Sequence, residues 1–321
     1  FWHNWNKDIF ANVKVDFMSK RFIMYAVSGT LIAVGLFSMF TRGFNYGVDF
    51  SGGRQYVVKF DKTVDVEQVR AALENAFNAG EETRSSVNVK TYGGSDQVKI
   101  TTNYMIKNAA TNTDEVVEGK LNGALAQFGG APPLESRKVD PVISDDIRNN
   151  SFWAVGLSLI FIFIYILVRF RNWRFGLGAV LSLVHDALIV MGVYSLFYSI
   201  MPFSMEIDEQ FIAAILTVIG FSINDTVVVF DRIREYLQDH KRDPWGQVFN
   251  RAINSTLGRT INTSLTVIIV LLVIFLFGAD SIKGFVFAML VGIGVGTYSS
   301  IFVASAIVVD LHKDTLPQKK G

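Results

Sequence analysis

The chain has 321 residues, half of them hydrophobic and 18% charged, with a formal net charge of +1. Its mean hydropathy is positive, which places it among polytopic membrane proteins and, with so little net charge, argues against nucleic acid as a main partner. There is no cysteine, and the four histidines lack any recognised metal-ligand spacing, so neither a disulfide scaffold nor a metal site is expected.

The opening FWHNWNKDIFANVKVDFMSKR (1–21) is amphipathic and becomes basic toward its end. It lacks the apolar centre and small-residue cleavage site of a secretory signal and reads as an interfacial segment on the cytoplasmic side. A start at Phe1 rather than Met leaves open that the chain is a segment of a longer polypeptide. Apolar stretches of about 20 residues, long enough to cross a bilayer, fall at 22–41, 151–168, 175–198, 210–230, 260–277 and 284–309. They predict a polytopic α-helical membrane protein of six spans, the last five making up 151–309. Basic residues gather before the first span, at Arg169, Arg171 and Arg174, in the loop from Arg232 to Arg259, and in the tail 310–321; the facing loops 199–209 and 278–283 offer only Lys283. This asymmetry puts both termini in the cytoplasm and residues 42–150 outside it.

That external interval reads strand (VDFSGGRQYVVKF), helix (VDVEQVRAALENAFNAG), strand (SSVNVKTYG), strand (DQVKITTNY), helix (TDEVVEGKLNGALAQFG), strand (LESRKVDPVI). The order βαββαβ predicts one α+β ferredoxin-like domain. Within it DFSGG, residues 49–53, opens the domain beside the first span. Its glycines allow a sharp turn, so Asp49, Phe50, Gly52 and Gly53 read either as a joint coupling span to domain or as a plain structural turn. Arg148 is the candidate anchor on the other side.

A carboxylate inside a span is costly unless paired, hydrated or protonated, and usually marks an ion path or proton site. Asp225, in GFSINDTVVVFDRIRE, is such a residue, about 9 Å inside the span end if the helix leaves the membrane near Asp231. The fifth span runs the opposite way from Arg259, so the two side chains can meet at similar depth; a neighbouring Arg favours the charged form and apolar surroundings the neutral one. The alternative readings are a static ion pair for Asp225 and snorkelling for Arg259. Ser222, Asn224, Thr226, Thr263 and Thr266 are candidate hydrogen-bonding neighbours, equally readable as helix glue. His185 and Asp186 lie midway along the third span: a second relay, or a structural hydrogen bond, with at least one of the adjacent pair facing a helix partner. Gly284, Ala288, Gly292, Gly296, Ser300 and Ala304 recur every four residues and predict a packing seam. No GxxxxGK[ST] loop occurs, so ATP hydrolysis is not expected.

Five stretches together, FNYGVDFSGGRQYVV, VHDALIVMGVYSLF, VIGFSINDTVVVFDRIRE, GRTINTSLTVIIVLLVIFLFG and GFVFAMLVGIGVGTYSSIFVASAI, resemble the SecF family, the smaller membrane half of the SecD–SecF translocation factor, or the equivalent half of a fused SecDF. The resemblance implies the fold of resistance-nodulation-division (RND) transporters and a role in which the proton-motive force helps complete preprotein export. It implies that Asp225 and Arg259 act in proton conduction, with protons as coupling ion and no other cofactor. The implied partners are a SecD-like half, the SecYEG channel, a YajC-like subunit and unfolded preproteins, in the bacterial cytoplasmic membrane. The competing readings are half of an RND-type small-molecule or lipid exporter, an aspartyl protease using Asp186 and Asp225, and a scaffold. The small external domain leaves little room for a drug pocket, and a protease would need a GxGD signature that is absent.

Overall fold

The computed structural model describes residues 15–80, 85–106 and 112–312. Most of the amphipathic opening segment and most of the basic tail lie outside these residues. Among the described residues six helices are long and apolar enough to cross a membrane: α1 (Arg21–Arg42), α5 (Pro141–Phe170), α6 (Trp173–Phe197), α7 (Glu209–Asp239), α8 (Trp245–Phe277) and a last one made of α9 (Lys283–Ser299), a π-turn (Ser300–Ala304) and α10 (Ser305–Asp310). This is a multi-pass membrane protein. Helices α6, α7 and α9 form the interior of the bundle, while α1, α5 and α8 leave most of their surface outward.

Small residues set the closest helix contacts. A Cβ on Gly35 of α1 would come within 3.0 Å of the Gly192 Cα on α6, and one turn further Ser38 and Ser195 share a 2.9 Å hydrogen bond. The aromatic cluster of Phe170, Phe175 and Phe230 fills the bundle at the end far from the external domain, and Tyr194, Phe203 and Phe211 fill it at the near end.

Between α1 and α5 lie a one-turn helix α2 (Val48–Ser51), β1 (Gly53–Lys59), α3 (Val66–Asn78), β2 (Val87–Tyr92), β3 (Gly94–Thr102), α4 (Thr113–Leu125) and β4 (Glu135–Val139). The sheet order β2-β3-β1-β4, antiparallel throughout, is the ferredoxin-like arrangement. Alternate β1 residues Tyr56 and Val58 face the helices, meeting Val69, Leu73 and Phe77 of α3 and Val117, Leu121 and Leu125 of α4, each set spaced by four.

Three boundaries differ from the sequence expectation. Residues 48–51 form a helical turn rather than the start of a strand. Strand β4 stops at Val139 because Asp140 and Pro141 begin a helix: the Asp140 carboxylate accepts from Val142 N at 2.9 Å, and Pro at the first helical position needs no amide partner. The basic stretch after the fourth span is not a loop but a helical hairpin, since α7 runs on to Asp239 and α8 starts at Trp245. Asn250 and Asn254 of that hairpin hold residues 15–18, accepting from Met18 N and Val15 N at 3.0 Å each.

Candidate functional site

Asp225 is 3% exposed on α7. The Ser264 hydroxyl of α8 donates to its Oδ2 at 3.1 Å, and Thr297 of α9 donates to Ser264 at 2.7 Å. Ser264 also lies 3.0 Å from the Thr260 carbonyl, so its single hydrogen has two acceptors to choose between. Arg259 forms no direct ion pair with Asp225, but its charge lies close enough to act on that carboxylate. It is exposed and turned into a basin with Arg169, Asp231 and Arg232. The reason is helical: five residues separate Arg259 from Ser264, about 140° around the axis at 3.6 residues per turn, so Arg259 does not share the helix face that presents Ser264 to α7. Thr263 and Thr266 go with Arg259; both are exposed and bond only carbonyls of their own helix. Asn224, one residue from Asp225, is likewise exposed and faces a groove beside α5.

The second carboxylate, Asp186, has no measurable exposure and His185 is 5% exposed. Both enter one network. His185 Nδ1 lies 2.9 Å from Asp186 Oδ1, and its Nε2 lies 2.9 Å from Ser28 Oγ on α1, which is 3.0 Å from Tyr298 OH. Asp186 Oδ2 accepts from Ser222 at 2.7 Å and Ser299 at 2.8 Å. The expectation that at least one of this adjacent pair faces a helix partner holds for both, and the imidazole also folds back onto its neighbour's carboxylate.

The two carboxylates share the seam between α7 and α9. Ser222 serves Asp186 three residues before Asp225, and Thr226, just after Asp225, shares a 2.8 Å hydrogen bond with Ser300. Gly296 makes room there: a Cβ would lie 3.0 Å from Ser222 Cβ and 3.5 Å from Asp186 Oδ2. At Gly292 a Cβ would run into the Val218 side chain. Ser300 also donates to the Gly296 carbonyl at 2.8 Å and opens the π-turn, a distortion that frequently accompanies functional sites.

Residues 122–314 match the family model described as protein export membrane protein SecD/SecF, C-terminal, and residues 37–64 match the SecD/SecF GG motif. The chain belongs to the SecD/SecF family. It is 41% identical to the protein translocase subunit SecF of Rhodothermus marinus over 95% of each chain, and 37% identical to that of Haemophilus influenzae over 92% of this chain and 86% of that one. Among solved structures it resembles SecDF of Thermus thermophilus, described as a translocon-associated membrane protein, with a TM-score of 0.80 at 34% identity. The match covers 94% of this chain and 39% of that longer one.

The region matched by the SecD/SecF GG motif contains the joint between bundle and external domain. Gly52 (φ +66°) and Gly53 (φ +143°) occupy backbone conformations that side chains disfavour, and a Cβ on Gly52 would come 3.1 Å from the Pro141 Cα at the head of α5. Phe50 is buried among Tyr194, Phe203 and Phe211 of the bundle. Asp49, 2% exposed, binds in two directions: Arg137 of β4 lies 2.9 Å from its Oδ1, and Glu209 N, in the first turn of α7, lies 3.4 Å from Oδ2. Arg148 is not a second anchor; it is exposed and pairs with Asp145 on its own helix at 2.8 Å. The further tie is one that sequence reasoning missed, from Lys99 of β3 to Glu206 before α7 at 2.7 Å, both nearly buried.

Ser264, Thr297, Ser299, Ser28 and Tyr298 were also missed. Each is a hydroxyl in an apolar run, the one available signal, and which hydroxyls turn inward depends on helix rotation.

Proposed function

We propose that the chain is a proton-motive-force-driven accessory subunit of Sec translocation, assisting late export of preproteins across the bacterial cytoplasmic membrane. The proposed orientation has both termini cytoplasmic and the ferredoxin-like domain outside. Its partners are a SecD-like half, the SecYEG channel, a YajC-like subunit and unfolded preproteins, and its coupling ion is the proton. The observation that carries this reading is a buried Asp225 whose nearest donor, Ser264, has an alternative acceptor, in a chain with SecF relatives along nearly its whole length.

The chemistry follows from that choice of acceptor. With Asp225 ionised, Ser264 donates to it and receives from Thr297. With Asp225 protonated, the carboxyl itself becomes a donor and the Ser264 hydrogen is released to the Thr260 carbonyl 3.0 Å away. One proton thus changes the hydrogen bonds joining α7, α8 and α9. One charge moved across 100 mV corresponds to about 2.3 kcal/mol, so a few protons supply enough free energy to shift a two-state packing. Helix α7 carries the change outward, because its first turn, about 24 Å from Asp225 by helical rise, abuts Asp49 and the external domain.

The test is preprotein export into vesicles containing the Sec channel and the SecD-like partner, with and without this chain, under an imposed or collapsed proton gradient. The reading requires that the chain add export only while the gradient stands; an equal contribution without a gradient would refute it.

A further inference from the structure

Two cavities follow one another along a seam beside α7, the first lined by α5, α7 and α8 and the second by α5 and α7. At the end of the bundle opposite the external domain lies a polar basin of about 670 Å³, where Arg169, Arg232, Arg234 and Arg259 face Asp231 and Glu235. Arg169 pairs with Asp231 at 2.8 Å and Arg232 with Glu235 at 2.6 Å, while Arg234 stands 3.8 Å from Asp231. Four guanidiniums against two carboxylates leave the basin with an excess of positive charge. Directly below it, a groove of about 400 Å³ is lined by Phe161, Ile162, Tyr165, Ile223, Asn224 and Val227. Tyr165 is one helical turn from Arg169, and Val227 one turn from Asp231, so the groove continues the basin into the apolar depth of the bundle. Phe161 and Tyr165 are 66% and 53% exposed. Trp173, at the head of α6 and 51% exposed, marks the interfacial level at which the basin sits.

We propose that this seam binds one anionic phospholipid, with its phosphate in the arginine basin and an acyl chain lying against Phe161, Tyr165 and Val227. Guanidinium groups suit phosphate oxygens in charge and planar geometry, and basic pockets between spanning helices are suited to anionic headgroups. A free anion would satisfy the basin and leave the groove empty. A zwitterionic lipid would fill the groove without matching the excess charge. The amphiphilic run of the seam, cationic at one end and apolar along about 12 Å from Arg169 to Phe161, fits a lipid carrying net negative charge.

The test is native mass spectrometry of the purified full chain with phosphatidylglycerol or phosphatidylcholine, repeated with inorganic phosphate as competitor and with the SecD-like half bound. Phosphatidylglycerol should be retained more than about fivefold over phosphatidylcholine, as one to two surface charges would provide. The Arg169→Gln/Arg234→Gln variant should fall to the phosphatidylcholine level, whereas Arg169→Lys/Arg234→Lys, which keeps the charge and guards against misfolding, should retain most of the difference. Tyr165→Ser should weaken lipid retention as well. Equal retention of the two lipids, or retention indifferent to the Gln variant, would overturn the site. Displacement by equimolar inorganic phosphate would make it a free-anion site, and loss of lipid on binding the SecD-like half would make the seam a protein interface; either result overturns the proposal.

Discussion

The Ser264 hydroxyl donates to Asp225 Oδ2 at 3.1 Å, and Thr297 donates to Ser264 at 2.7 Å, so one serine joins three spanning helices through a carboxylate. Ser264→Ala removes the donor to a buried acceptor and the acceptor for Thr297. It should lower stability by about 1–3 kcal/mol, read as thermal unfolding in detergent, and weaken gradient-dependent export; Ser264→Thr, which keeps a hydroxyl, should restore part of both.

Gly292 of α9 leaves no room for a Cβ against the Val218 side chain of α7. Gly292→Ala should destabilise the bundle by about 1–3 kcal/mol through overpacking. Val218 is 1% exposed, and trimming it to Ala in the same chain should recover about 0.5–3 kcal/mol of coupling. A double-mutant cycle of unfolding midpoints checks this.

Lys99 and Glu206 pair at 2.7 Å with side chains 11% and 5% exposed, fastening the sheet to the approach to α7. Removing one partner leaves a buried charge, so Lys99→Met or Glu206→Gln should each cost about 3–5 kcal/mol. Lys99→Met combined with Glu206→Leu should cost much less. Protease susceptibility of the external domain in the intact chain gives a second readout.

Asp208 caps α7, accepting from Phe211 N at 2.8 Å. Burial, followed by the nearby Glu206 and Asp49 carboxylates, pushes its carboxyl up to about 6, against the opposing pull of the cap bond and of Lys99. The folded state therefore holds this proton more tightly than the unfolded chain. The stabilisation is complete below the unfolded value of 3.8 and is lost as the pH rises through about 6. Asp208→Asn, still a good cap, should leave stability unchanged near the acid end of that window and raise it by about 1–3 kcal/mol at pH 8. Unfolding midpoints of both chains across pH measure the difference.

The six spans were legible because length and apolarity determine them, and the order of strands and helices outside because period and turn residues mark it. Asp225 stood out by its setting. Its partner did not, because Thr263, Ser264 and Thr266 are alike as hydroxyls in one apolar run, and only packing decides which of them turns inward. Helix rotation likewise set Arg259 off the face that carries Ser264, and turned Asn224 toward α5. At the joint, Gly52 and Gly53 were readable as a turn, yet the helical turn before them is held by Asp49 contacts with Arg137 and Glu209, distant in sequence. The Lys99–Glu206 tie was hidden for the same reason, its partners being 107 residues apart.

The most direct measurement is gradient-dependent preprotein export in vesicles carrying the chain with its SecD-like partner, comparing wild type with Asp225→Asn at matched folded levels. Asn keeps the size and hydrogen-bonding capacity of the side chain but cannot take up and release the proton. The predicted result is loss of the gradient-dependent component with the gradient-independent component intact; unchanged export would contradict the account and leave the Asp225–Ser264 contact as a structural link between helices.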